Sequence, residues 1–230
     1  RLVRYDPANQ FYRSPYMVGF RSGWATFMLC TVHIVYGEAA ADDPDRVREI
    51  DEIARFLAAR AKERSNEYSN LILLGDFNIF GRGDVTMKAL TDAGFEIPAE
   101  LQSVPATNTG SEKRHYDQIA FLPQRKRMET TGRAGVFNYF AHVFTDADEP
   151  LYAPEMGDAY LRTGSGTLRD EKGRRSYYRT YWRTFQMSDH LPMWVELRTD
   201  FSAEYLRERA VRPVPLPPGG DGEAPDGGPG

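Results

Sequence analysis

Runs of apolar residues bounded by polar turns predict several strands. Residues 71–74 are four consecutive aliphatic residues, and such an uninterrupted run is typical of a strand buried on both faces of a sheet. Residues 16–36 predict a β-hairpin, because two apolar arms flank the polar turn 21–23, which contains a glycine. Two further strands are predicted at residues 116–122 and 193–198. These strands are the framework of the predicted fold.

Helical periodicity lies between and after the strands. From Asp43 to about Arg64, apolar residues recur every three to four positions, and Pro44 after Asp43 is typical of a capped first turn. The charged residues among them, including Arg46 and Glu49, are predicted to form a solvated face. Shorter helices are predicted over residues 84–93, 136–144 and 201–211. A hairpin, a helix and then a doubly buried strand indicate a layered α/β fold.

Composition and charge narrow the class of protein. A chain of 230 residues can form one domain with a sizeable core. The net charge of −4 and the pI near 5.7 exclude a generally basic nucleic-acid coat but allow a local basic patch. Cys30 is the single cysteine, so no internal disulfide can form, and a buried inert thiol is expected. No run of eighteen apolar residues occurs, so no membrane span is predicted.

The predicted domain covers residues 1–199. Residues 200–230 are predicted to form a C-terminal helix followed by a disordered tail rich in proline and glycine. Charge is segregated just before this boundary. Residues 146–158 contain five acids and no basic residue, whereas residues 160–186 contain seven Lys or Arg against two acids. The second stretch is therefore the candidate basic patch.

Arginines alternate with aromatic residues in the segment 176–185. If this segment is extended, Tyr177, Arg179, Tyr181 and Arg183 share one face. Arginines that contact phosphates and rings that stack on bases suit a nucleic-acid strand. An ordinary strand or helix with packed rings and snorkelling arginines is the alternative, and it is slightly favoured.

Polar side chains stand at the ends of the predicted strands. Asp76 and Asn78 follow the strand 71–74 two positions apart, so on an extended chain both point the same way. A carboxylate and an amide suit a water nucleophile, a hard cation or a phosphate. An Asx turn is the structural alternative. His33 lies near the end of the second hairpin arm, and Asp117 lies near the start of the strand predicted over residues 116–122.

Four motifs in this order resemble the endonuclease/exonuclease/phosphatase superfamily, whose members have the DNase I-like fold. The motifs are His33 after a hairpin strand, Gly75-Asp76-Phe77-Asn78, Tyr116-Asp117-Gln118-Ile119 and Ser188-Asp189-His190-Leu191-Pro192. The resemblance covers about residues 11–198, and the region 125–186 matches poorly. It implies a two-sheet α/β sandwich that hydrolyses phosphate esters with Mg²⁺, or with Mn²⁺ or Ca²⁺.

The resemblance also assigns roles to the histidine and carboxylates of these motifs. His190 would act as an acid or base or polarise the scissile phosphate, with Asp117 orienting its ring. Asp76 would position the attacking water. The chemistry is coherent, because a histidine held by a carboxylate keeps one tautomer and stabilises its own imidazolium.

The remaining predicted site residues would bind metal or substrate. By the same resemblance, Asn78 would contact the phosphate or the metal, and Asp189 would serve near the metal. His33 would bind phosphate or assist the leaving group. The predicted substrate contacts are Arg13, Arg179 and Arg183.

The sequence also departs from the family pattern. Family members open with a strand that carries an asparagine and a second strand that ends in Gln-Glu, whose glutamate is the principal metal ligand. Neither segment occurs in these residues. The expectation is that the chain corresponds to the C-terminal portion of the fold, lacks the N-terminal portion, and by itself holds metal weakly and can be inactive.

The predicted function is divalent-metal-dependent hydrolysis of phosphodiester bonds in nucleic acid. The basic and aromatic segment favours nucleic acid, and Tyr116-Asp117-Gln118-Ile119 resembles the DNase I-type members. Two alternatives stay open: a phosphatase of a lipid or small-molecule phosphomonoester on the same scaffold, and a non-catalytic binding module. No protein partner can be inferred.

Overall fold

The computed structural model describes residues 11–63, 70–110, 112–122 and 128–211. The strands are β1 (Tyr16–Ser22), β2 (Ala25–His33), β3 (Leu71–Asp76), β4 (Asp117–Leu122), β5 (Glu129–Val136) and β6 (Met193–Arg198). The helices are α1 (Pro44–Glu63), α2 (Val85–Asp92), α3 (Ala99–Gln102), α4 (Glu149–Leu161), α5 (Glu171–Thr180) and α6 (Ser202–Val211). Short 3₁₀ turns lie at Tyr139–Ala141, Asp146–Asp148 and Trp182–Phe185. The predicted tail at 212–230 lies outside the described residues.

The first four strands form one sheet in the order β1-β2-β3-β4. β2 and β3 are parallel, whereas the other two neighbouring pairs are antiparallel. In this register His33 lies opposite Asp76, and Asp76 lies opposite Asp117. The sheet itself therefore brings three residues from distant parts of the chain to one edge.

One face of this sheet packs on helices α1 and α2. Side chains alternate between the two faces of a strand, and the residues that point to the helices are buried with the apolar stripe of α1. The buried residues from the strands are Cys30, Val32, Leu71, Leu73, Ala120 and Leu122. Burial raises the pKa of the Cys30 thiol to about 12, which agrees with the expected inert thiol.

The opposite face packs on a second sheet formed by β5 and β6. The first sheet contributes Phe27, Leu29, Ile72, Leu74, Ile119 and Phe121, and the second contributes Ala134, Met193, Val195 and Leu197. Helices, one sheet and a second sheet thus form successive layers. The predicted α/β architecture with a two-sheet sandwich is confirmed.

A mostly helical segment, residues 138–187, joins β5 to β6 and is called the helical insert below. The two ends of the insert lie close together, because the Phe137 N–H before it donates to the Pro192 carbonyl after it at 2.8 Å. The helix predicted over residues 136–144 is reduced to a 3₁₀ turn, because Val136 pairs with Met193 in the second sheet. The insert therefore begins and ends beside the Ser188–Pro192 motif.

The extended conformation considered for residues 176–185 is wrong. The segment continues helix α5, whose first turn is capped by Asp170 through a bond from the Gly173 N–H at 2.7 Å. Tyr177 and Tyr181 consequently pack against each other one helical turn apart, with ring centroids 5.4 Å apart. The alternating face expected of a strand does not exist here.

The predicted solvated face of α1 is wrong at two positions. Arg46 is 0% exposed and Glu49 is buried. The Arg46 guanidinium donates to the carbonyls of Tyr36, Glu38 and Ala40. Glu49 accepts the Val35 N–H at 2.7 Å. Both side chains are buried because they satisfy backbone groups of the loop that follows β2.

Replacing Arg46 by lysine should destabilise the protein by about 1–2 kcal/mol. Lysine keeps the charge but cannot reach three carbonyls with one planar fork. Equilibrium denaturation would measure the loss. Arg48→Lys is the matched control, since Arg48 is exposed and, among the described residues, pairs with Asp45 alone; equal losses in the two variants would contradict a special role for the buried guanidinium.

Among the described residues, no helix is both long enough and apolar enough to cross a membrane.

Candidate active site

The end of β3 has an unusual backbone that places Asp76. Gly75 has φ +135, and a Cβ at this position would lie 2.0 Å from the Val32 carbonyl oxygen. Asn78 has φ +53, and its N–H donates to Asp76 Oδ1 at 2.9 Å. The Asx turn considered from the sequence therefore exists. It uses one oxygen of Asp76 and leaves Oδ2 facing the histidines.

Asp117 holds His190 by a short hydrogen bond. His190 Nδ1 lies 2.7 Å from Asp117 Oδ2, and the Thr107 hydroxyl donates to the same oxygen. An ionised carboxylate can only accept, so the imidazole hydrogen lies on Nδ1. This tautomer leaves Nε2 of His190 with a lone pair, available to accept a proton.

Asp76 stands between two imidazole rings. Its Oδ2 lies 3.9 Å from His190 Nε2 and 3.5 Å from His33 Nε2. His33 is the more open of the two, with half of its side chain exposed. The gap between Asp76 and His190 suits a bridging water that both groups could orient, with His190 taking its proton.

The electrostatics of the site raise the pKa of His190 and of Asp76. For His190 the largest cause is the hydrogen bond to Asp117; burial opposes it, and the charges of Asp117, Asp76 and Asp189 reinforce it. For Asp76 the largest cause is burial, which the bond from the Asn78 N–H and the nearby His190 partly offset. Raised pKa values at facing groups are typical of acid–base sites.

Asp117→Asn should move the acidic limb of the pH–rate profile to lower pH. A general base must be unprotonated, so kcat/KM should rise with pH through the pKa of His190, which lies above its ordinary 6.5. The hydrogen bond to Asp117 is the largest cause of the raised pKa of His190. Without this carboxylate the acidic limb of the profile should move to lower pH, and kcat/KM should fall about 10²-fold.

Profiles of kcat/KM over about pH 5–9 would measure the shift. Asp45→Asn, which alters an exposed carboxylate paired with Arg48, should leave the limb in place. An acidic limb at the same pH in Asp117→Asn and in the parent would mean that His190 is not the titrating base.

The short segment 107–109 supports the His190 motif through backbone hydrogen bonds. Leu191 N–H donates to the Thr107 carbonyl at 2.8 Å, and Thr109 N–H donates to the Asp189 carbonyl at 2.8 Å. Thr107 also reaches Asp117 through its hydroxyl. Nothing in the local sequence marks this role, because Asp189, the partner of Thr109, lies eighty positions further along the chain.

An aromatic cluster forms one wall of the site. The Tyr116 ring stacks on His190 with centroids 5.7 Å apart and an interplanar angle of 22°. Phe80 packs edge-on against Tyr116, and Tyr36 contacts both rings. Burial, followed by a hydrogen bond with Tyr36, raises the pKa of Tyr116 to about 12. Tyr116 is therefore a neutral ring that fixes the orientation of His190.

The structure brings most of the predicted site residues to this edge. His33, Asp76, Asp117 and His190 are within reach of one another. Asn78 is only 5% exposed and donates its Nδ2 hydrogen to the Ile34 carbonyl. Its side chain therefore stabilises the turn after β3 and does not point into the site.

Two other predicted site residues lie at the rim. Asp189 is exposed next to His190, and its charge contributes to the raised pKa of that histidine. Arg13 donates to the His33 carbonyl at 3.4 Å. Both side chains are thus close to the site without entering the group formed by Asp76, Asp117 and His190.

The structure does not present Arg179 and Arg183 as free substrate contacts. Both guanidinium groups bind Asp146, with Arg179 Nε at 2.7 Å and Arg183 Nη1 at 3.1 Å from its Oδ1. Arg183 also lies over the ring of Phe140 at 4.4 Å. The two arginines hold the helical insert together, because they join α5 and the following turn to the loop before α4.

The donor atoms at this edge fit a hard divalent cation. Asp76, Asp117 and His190 can each offer one ligand atom, and these atoms lie within 4.8 Å of one another. Asp117 and His190 already bind each other, whereas Asp76 Oδ2 accepts no comparably short bond from a described residue. Such a cation would therefore be held chiefly by Asp76, with waters and substrate oxygens completing its coordination.

Similar proteins are known at the level of sequence. A deoxyribonuclease of Thioalkalivibrio sp. (strain K90mix) is 38% identical over 122 residues, which are 51% of this chain and 31% of that protein. The matched region thus spans about a third of the relative's length. The chain matches no protein-family model.

Partial likenesses to solved structures are also found. An endonuclease/exonuclease/phosphatase family protein from Leptotrichia buccalis C-1013-b has a TM-score of 0.41 at 13% identity, covering 79% of this chain and 53% of that chain. Sphingomyelinase C from Streptomyces griseocarneus has a TM-score of 0.41 at 18% identity, covering 54% and 47%.

The sequence match to a deoxyribonuclease agrees with the four motifs and with the geometry in which they meet. His33, Asp76, Asp117 and His190 come from four separate segments, and three of them are aligned by adjacent strands. A helical layer and a second sheet cover the two faces of the sheet that aligns them. The chain therefore has a two-sheet α/β fold, resembles the endonuclease/exonuclease/phosphatase superfamily in its motifs, and is similar to a deoxyribonuclease over 122 residues.

Proposed function

We propose that this chain carries the hydrolytic centre of a divalent-metal-dependent phosphodiesterase that acts on nucleic acid. The observation that carries the proposal is the His190–Asp117 pair at 2.7 Å, with the free Nε2 of His190 facing Asp76 at 3.9 Å. A carboxylate, an oriented imidazole and a second carboxylate are the groups needed to activate water. The deoxyribonuclease relative supports nucleic acid as the substrate class.

In this mechanism His190 acts as the general base. The Nδ1–H bond to Asp117 fixes the ring, and Nε2 takes the proton of a water that Asp76 orients. The imidazolium that results is stabilised by Asp117, as its raised pKa indicates. General-base help of this kind contributes about 10²–10⁴ in rate.

His33 is placed to assist the phosphate. It is half exposed and lies 3.5 Å from Asp76, so its imidazole can donate to a phosphate oxygen or to the leaving oxygen. A bound Mg²⁺, Mn²⁺ or Ca²⁺ would neutralise charge on the phosphate oxygens. Asp76 is the residue best placed to hold such an ion.

Hydrolysis of phosphodiesters by the chain itself tests the proposal. Plasmid DNA, RNA, bis(p-nitrophenyl) phosphate and a phosphoinositide would each be incubated with Mg²⁺ or Mn²⁺ and with a chelator. We expect metal-dependent cleavage of DNA or RNA and of the small diester. Cleavage of the lipid phosphomonoester alone would favour a phosphatase. If no ester is hydrolysed, the proposal fails and the non-catalytic binding module is the remaining hypothesis.

A further inference from the structure

The helical insert contains seven basic and seven acidic residues, but not every basic side chain is paired with one of these acids. Of its basic residues, Arg175 pairs with Glu149 and Glu171, whereas Arg179 and Arg183 share Asp146. Arg162 and Arg169 form no ion pair with any described carboxylate. These two guanidinium groups are therefore available to an anion from outside the chain.

Arg162 and Arg169 line the same cleft. Its volume is about 700 Å³, and it lies between the end of α4, the turn 163–167 and the outer side of α5. Arg162 donates one hydrogen bond to the Gly166 carbonyl at 3.2 Å, and Arg169 donates one to the Ala159 carbonyl at 3.3 Å. Since a guanidinium has five N–H donors, each keeps four that no described residue uses.

The same cleft has an aromatic side. Tyr177 and Tyr181 line it, with ring centroids 5.4 Å apart, and Tyr181 is 56% exposed. Arg169 lies over the Tyr177 ring at 5.0 Å from its centroid. Asp158 is the single acidic residue of the lining. The cleft thus combines positive charge for a phosphate with a half-exposed aromatic ring for a base.

We infer that this cleft of the helical insert is a binding site for single-stranded nucleic acid, separate from the hydrolytic centre. Arg162 and Arg169 bind backbone phosphates, and Tyr181 stacks on an unpaired base. A duplex hides the faces of its bases, so the exposed ring selects a single strand. The choice of nucleic acid over other phosphates rests on the proposed function.

The place of the insert in the fold gives this site a use. The insert is joined to the sandwich at Phe137 and Pro192, directly beside Asp189 and His190. A strand held in the cleft is thereby attached to the same chain that carries the hydrolytic centre. The site would raise the affinity for long substrates and leave small diesters unaffected.

Binding of a fluorescent oligothymidylate of about ten nucleotides, measured by anisotropy in the presence of a chelator, tests the inference. The double variant Arg162→Gln/Arg169→Gln should weaken binding at least tenfold. It should also lower the slope of log K against log salt by about 1.4, since each phosphate contact contributes about 0.7 on a single strand. Tyr181→Ala should weaken binding at least fivefold, whereas Tyr181→Phe should retain it.

The control variant Arg48→Gln/Arg55→Gln removes the same charge from exposed positions on α1 and should bind like the parent. Thermal unfolding would verify that each variant is folded. Unchanged binding in Arg162→Gln/Arg169→Gln, or an equal loss in the control, would overturn the inference. So would equal binding by Tyr181→Ala and the parent.

The result is separable from the proposed function, because the chelator prevents cleavage. Oligonucleotide binding that depends on Arg162 and Arg169, in a chain that hydrolyses no ester, would support the binding site and reject the hydrolase. Turnover of bis(p-nitrophenyl) phosphate, together with oligonucleotide binding that does not depend on the cleft, would support the hydrolase and reject the binding site.

Discussion

His190→Ala should lower kcat for phosphodiester hydrolysis by about 10³-fold or more. The imidazole is the one group at the site with both a fixed tautomer and a free nitrogen, because Asp117 accepts the Nδ1 hydrogen at 2.7 Å. Alanine removes the base and leaves the Asp117 carboxylate with the Thr107 hydroxyl alone. Steady-state turnover of bis(p-nitrophenyl) phosphate with Mg²⁺ or Mn²⁺ would measure the loss.

His142→Ala is the matched control. His142 is exposed and stacks on Phe137 with centroids 5.5 Å apart, so its loss should leave kcat within about twofold of the parent. Thermal unfolding of both variants would exclude misfolding as the cause. Comparable activity in His190→Ala and the parent would remove the basis of the proposed mechanism.

Gly75→Ala should destabilise the protein by about 3 kcal/mol or more, since it combines backbone strain with overpacking. The backbone at Gly75 has φ +135, which L-residues rarely adopt, and the new methyl would lie 2.0 Å from the Val32 carbonyl oxygen. For a chain of this size the thermal midpoint should fall by about 6–12 °C. The parallel pairing of β2 and β3 would have to shift, and His33 and Asp76 would move apart with it.

Gly83→Ala serves as the comparison, because an added Cβ there meets nothing within 4 Å. Its stability should stay within about 0.5 kcal/mol of the parent. If the two substitutions cost the same, the close approach of β2 to β3 would not be what requires glycine at position 75.

The strands and long helices could be predicted because their signals are local. The buried run 71–74, the hairpin and the stripe of α1 each depend on periodicity within about twenty residues. The failures also have a physical cause. Arg46 looked solvated because its three carbonyl partners lie in a loop that precedes the helix and has no pattern of its own. Residues 176–185 allowed two conformations, and the cap at Asp170 with packing of Tyr178 selected the helix.

The sequence alone determined the layered α/β class, the order of the four motifs and the residue types that can activate water. Chain order and composition are sufficient for these, since motifs and apolar patterns are properties of short segments. Tertiary structure alone decided that Asp76 faces two histidines and that Thr107 supports Asp117. It also decided that Arg179 and Arg183 are bound to Asp146 while Arg162 and Arg169 stay available. These are contacts between segments distant along the chain, and only strand register and packing bring such segments together.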